Sequence, residues 1–94
     1  MQEITLIGYE NGIKVIYDVI ATYHDDITNK DYVIYTDKKT DKSNNLNLFY
    51  SVYTYDNDTI KLLETNDLED KKIGLELIKE IGLLLSKWII QNVI

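Results

Sequence analysis

The chain has no cysteine, no proline and no arginine, and its single histidine is His24. Without cysteine, disulfides, thiol nucleophiles and cysteine-ligated metals are excluded. Without arginine, the bidentate reader of phosphate and guanine is missing. The 10 lysines face 16 acids, for a net charge of −6. A nucleic-acid surface needs clustered cations, so no nucleic acid is expected as a partner. The acidity serves solubility, or it offers an acidic face to a basic partner, mimicry of nucleic acid included. The opening "MQEITLIGYENG" has neither a basic segment nor a long apolar run, so no signal peptide is expected and the cytoplasm is the default location.

Catalytic raw material is scarce. Ser43, Ser51 and Ser86 lie in no glycine-flanked elbow, and only His24 could serve any of them as an imidazole base. Gly8, Gly12, Gly74 and Gly82 are too scattered for a phosphate loop. His24-Asp25-Asp26 carries metal-ligating types, but it sits in one expected turn, where three or four ligands would have to converge from separate elements. Asp56-Asn57-Asp58 fails as a calcium loop, because Lys61 and Asp67 stand where glycine and glutamate are needed. No metal, no cofactor and no enzymatic activity are expected.

What is present divides the 94 residues into two zones of one expected domain: a sheet over 1–63 and a helix over 66–94. All 8 tyrosines fall in the first zone, where aromatic and β-branched residues suit a pleated surface. Strands are expected at Ile4–Ile7, Ile13–Tyr23, Asp31–Thr36, Leu46–Tyr55 and Thr59–Leu63, with Asn11-Gly12 as a hairpin turn. In the second strand Ile13, Val15, Tyr17, Val19, Ala21 and Tyr23 are expected on one face. The polar run 37–45 reads as the most mobile loop. The fold class is α+β, an antiparallel meander of five strands packed by one long C-terminal helix.

The helix is expected to start at an Asn66 cap, with Glu69 reaching back as in a capping box. Leu77, Ile81, Leu84 and Trp88 form one apolar stripe, and Leu75, Ile78, Leu85 and Ile89 form a second beside it. One stripe suffices to cover a sheet. The surplus places an interface on Leu85, Trp88, Ile89 and Val93, with Tyr53 and Tyr55 as a second, sheet-borne surface. The apolar run is shorter than the ~20 residues that span a bilayer, and Lys87 interrupts it, so membrane contact is disfavoured.

The order of elements carries a resemblance. "EITLIGYENG", "YDVIATY", "KDYVIYTD", "LFYSVYT" and "IKLLETNDLED" together resemble the YrzB-like family of small acidic bacterial proteins, a domain of unknown function, over roughly residues 3 to 80. The resemblance implies a small cytoplasmic protein with a sheet and a C-terminal helix, and it carries over no functional residues. The chain departs from the family at "GLLLSKWIIQNVI", where members end in an acidic helix or tail. The expected function is a non-enzymatic protein-interaction module, a self-associating adaptor or regulator acting as a homodimer or through another protein. The alternatives are a small-molecule binder or enzyme with a tyrosine-lined cleft, and an acidic inhibitor mimicking nucleic acid.

Overall fold

The computed structural model describes residues 5–57, 59–65 and 67–93, with side-chain surroundings for these except 5, 9, 10 and 86–93. The strands β1 (Thr5–Glu10), β2 (Ile13–Asp25), β3 (Lys30–Thr36), β4 (Phe49–Asp56) and β5 (Thr59–Leu63) precede the helix α1 (Leu68–Val93). They form one sheet in the order β1-β2-β3-β4-β5, every pair antiparallel. The meander and the helix are as the residue pattern predicts.

Asparagines make the tight connections. Asn11 and Gly12 turn β1 into β2 with φ of 52° and 79°, the left-handed pair that a two-residue hairpin requires. Asn29 and Asn57 take up φ of 56° and 50° in the next two-strand turns, because their short polar side chains tolerate that region. The β3–β4 connection, expected as a mobile loop, is itself folded. Thr40 bridges Leu46 antiparallel, and the Asp41 carboxylate accepts from the Ser43 and Asn45 amides at 2.8 and 3.0 Å. That bridge occupies Leu46, so β4 begins at Phe49 and not at Leu46.

A bulge corrects the expected face assignment of β2. Register shifts between Val19 and Ala21: Val19 pairs with Tyr35, whereas Ala21 pairs with Ile34. One extra residue flips the alternation, so Tyr17 and Val19 share one face while Ala21 and Tyr23 lie on the other.

Helix α1 covers β3 and β4 on the face of Tyr32, Ile34, Tyr50 and Val52. At Gly74 the helix backbone lies directly on the Tyr50 ring, since a Cβ there would stand 2.3 Å from it. On the opposite face Tyr17, Tyr35 and Phe49 meet edge to edge or tilted, with centroids 5.2, 5.6 and 6.4 Å apart. Tyr17 and Phe49 sit two strands apart, about 9.5 Å in a flat sheet, so their rings lean in over the middle strand. On this same face, which no helix covers, Val33 is fully buried. The central strand thus buries Tyr32 and Ile34 on one side and Val33 on the other, each such side chain stabilising by roughly 1.5–3 kcal/mol.

Candidate functional site

The first turn of α1 is held by a polar network. Asp67 caps the helix, its carboxylate accepting the Glu69 amide at 2.9 Å. The cap seen is thus one residue after the expected Asn66, which itself lies outside the described residues, as does the Asn66–Glu69 capping box. Asp70, at the third position of the helix, turns inward. It accepts from Tyr32 Oη at 2.6 Å, Thr65 Oγ1 at 2.5 Å and Lys30 Nζ at 2.9 Å. From Tyr32 the network continues to the Thr28 hydroxyl at 3.3 Å, and Thr28 donates both its amide and its hydroxyl to Asp25.

Charges in this network are shifted in ways that follow from their partners. Burial pushes the Asp70 carboxyl up, but bonds from Thr65, Tyr32 and Lys30 outweigh it and hold it below the usual range. The same bond from Asp70 raises the Lys30 ammonium. Burial, and next the Asp70 carboxylate, raise the Tyr32 phenol. Asp25 is lowered chiefly by the Thr28 amide. The arrangement is an anchor between the β2–β3 turn and the helix, and among the described residues no buried side-chain nitrogen or oxygen lacks a hydrogen-bond partner.

His24 lies on the other face from Asp25, because neighbouring strand residues alternate. Its Nδ1 is 2.8 Å from Asp31 across the hairpin and its Nε2 is 3.6 Å from Asp26. The Asp31 bond raises its pKa, with burial opposing. Asp25 is thus engaged by Thr28 and does not join His24 and Asp26 in a ligand set. Among the described residues no cluster of three or more His, Asp or Glu side chains is placed to hold a metal ion.

The two expected apolar stripes of α1 are redistributed. Ile73, Leu77, Ile78, Ile81 and Leu85 are half-buried and Gly74 is buried, whereas Leu75 is exposed on the solvent side. Leu77, Ile81 and Leu84 step by four and three and so share one side of the helix. Leu77 and Ile81 face the protein, yet Leu84 is 65% exposed. Gly74 already sits on Tyr50, the second residue of β4. The later turns of α1 therefore run past the sheet beside the β3–β4 connection, where Leu85 is half-buried and Leu83 and Leu84 are exposed.

Beside this overhang lies an open apolar cleft of about 710 Å³ between α1 and the folded connection, lined by Leu46, Leu48, Ile78, Gly82, Leu83 and Leu85 among others. Leu85, expected at an interface, is one wall of it. Trp88, Ile89 and Val93 fall within α1, but their side chains lie outside the described residues. A smaller cleft of about 420 Å³ includes Tyr35, Tyr50 and Glu64, without His24 among its lining residues. Among the described residues, neither of these two clefts has His24 in its lining.

The second expected surface also divides. Tyr55 is 62% exposed, whereas Tyr53 is buried at 8% and holds Tyr55 edge-on at 5.6 Å between centroids. Tyr53 is therefore a core residue. The strand alternation puts both on one face and carries no sign of this difference. Phe49 and Leu62, on the same face, are exposed enough to contact a partner, a role that the residue pattern did not single out.

Among the described residues no helix is long and apolar enough to cross a membrane. Compared with known protein families, characterised proteins and solved structures, the chain matches none.

Proposed function

We propose that the chain is a non-enzymatic protein-interaction module of the bacterial cytoplasm, docking through the C-terminal part of α1 onto a second copy or another protein. The observation that supports this is Leu84, a leucine on the sheet-facing side of the helix that is 65% exposed because the helix outruns its sheet. Leu83, also exposed, and the apolar cleft beside it extend the uncovered area. Apolar surface left open at a helix end is the physical signature of a docking site. The reading keeps the YrzB-like resemblance as its setting and places the function where the chain departs from it.

Light scattering and pull-down from bacterial cytoplasm, on wild type and on Leu84→Asp and Trp88→Asp, test it. The wild type is expected to dimerise or to retain one partner near stoichiometry, and both variants to lose it while melting at the wild-type temperature. A wild type that stays monomeric at high concentration and retains no partner rules the proposal out.

The cleft supports a second reading, an apolar small-molecule site, because its lining is mostly leucine, isoleucine and asparagine. A rise in melting temperature with apolar ligands, abolished by Gly82→Phe, is its expected outcome.

A further inference from the structure

The sheet face opposite α1 combines three properties that no single residue announces. It is aromatic, it carries carboxylate at one end, and the register keeps strand lysines off it. Tyr17, Tyr35 and Phe49 form one cluster on it, and Tyr53 with Tyr55 another. Tyr55, Phe49 and Leu62 are its exposed apolar members. Asp31 pairs directly across from Tyr53, so it lies on the same face, its side chain 47% exposed. His24 sits between Asp31 at 2.8 Å and Asp26 at 3.6 Å, so this end stays net negative even with the imidazole charged.

Lysine is plentiful in the chain but turned away here. Lys14 pairs with Tyr9, alternating with Val15 and Tyr17. Lys61 pairs with Thr54, alternating with Tyr53 and Tyr55. Lys30 reaches Asp70 beneath the helix. All three strand lysines therefore lie on the helix side, in a molecule whose net charge is already −6.

We propose that this face binds a cationic peptide segment in which arginine side chains alternate with apolar ones. The guanidinium stacks on the exposed ring of Tyr55 and is drawn by Asp31, while the apolar residues meet Leu62 and Phe49. Charge complementarity selects this occupant over the others. A nucleic acid would also stack on tyrosines, but its phosphates would meet carboxylate with no strand lysine to offset it. A second copy would bring the same carboxylate-bearing, lysine-free face, so face-to-face pairing would set like charge against like. The site is separate from the helix end, and its failure leaves the docking of α1 untouched.

Titration of the full chain with an alternating arginine–valine peptide, and with a glutamate–valine peptide of equal length, tests the proposal. Backbone amide shifts are followed by NMR. The arginine peptide is expected to bind and shift Phe49, Tyr55 and Leu62, and the glutamate peptide to leave them in place. Tyr55→Leu is expected to weaken binding by about threefold to thirtyfold, as loss of one cation–π contact would. Asp31→Asn should weaken it further, and circular dichroism should show both variants folded. Binding that Tyr55→Leu leaves unchanged, shifts confined to α1, or no binding of the arginine peptide would each overturn the assignment.

Discussion

Tyr32 and Asp70 are both fully buried, 38 residues apart in the chain, and joined by a hydrogen bond of 2.6 Å from phenol to carboxylate. This one bond ties the central strand to the first turn of the helix. It also fixes where α1 starts along the sheet, and so how far its other end overhangs. A structural bond at one end of the molecule thereby sets the exposure of Leu84 at the other.

Asp70→Asn is expected to destabilise the protein by about 1.5–3 kcal/mol, the range for losing hydrogen bonds to a charged group. Tyr32→Phe should cost less, because Thr65 and Lys30 continue to satisfy the carboxylate. The double variant should cost less than the sum of the two, with a coupling of at least about 0.5 kcal/mol. Urea unfolding of the four proteins measures this, and strict additivity would contradict the bond.

Stability should fall at both ends of the pH range. Asp70 and Asp25 are held below the ordinary carboxyl value of 3.8, so the native state binds fewer protons there than the unfolded chain. Their contribution is present above that value and is lost as pH falls through their folded values. His24 is raised above 6.5, so its contribution is complete below that value and is lost as pH rises through its folded value. Chemical denaturation across pH should show Asp70→Asn flattening the acid limb and His24→Gln flattening the neutral one. A His24→Gln profile parallel to wild type between pH 6 and pH 8 (the flank of the ordinary imidazole value of about 6.5) would refute the second part.

The two helical glycines should respond oppositely to alanine. At Gly74 a Cβ would stand 2.3 Å from the Tyr50 ring, and the strain of displacing that ring, about 1–3 kcal/mol, exceeds the gain in helix propensity. At Gly82 nothing lies within 4 Å, so Gly82→Ala should stabilise by up to about 1 kcal/mol. Thermal melts of the two variants decide it, and equal shifts in one direction would show that the close approach at Gly74 is not what places glycine there.

Tyr53 and Tyr55, neighbours on one face, should separate by energy. Truncating the buried Tyr53 to alanine is expected to cost about 3–5 kcal/mol, the range for large aromatic residues in a core. Tyr55→Ala, at an exposed site, should stay within about 1 kcal/mol of wild type. Comparable losses at both positions would mean that Tyr55 is covered in solution.

The residue pattern by itself determined the element order, the meander and the single long helix. Those rest on local physics: period-two alternation, Asn-Gly turn chemistry, and apolar spacing of three and four, each readable within a dozen residues. Four outcomes were decided only by tertiary structure. The bulge at Ile20 moved Ala21 and Tyr23 to the opposite face from Tyr17, because register depends on the partner strand. One face holds the buried Val33 and Tyr53 and the exposed Tyr55, a difference that period-two alternation cannot carry because it depends on what the rest of the chain brings over each position. Asp70, an acid in the first turn of the helix, became the buried hub because its partners come from β3 and from Thr65. Leu84 looked like one more member of an apolar stripe, and its exposure follows only from where that hub starts the helix and where the sheet ends.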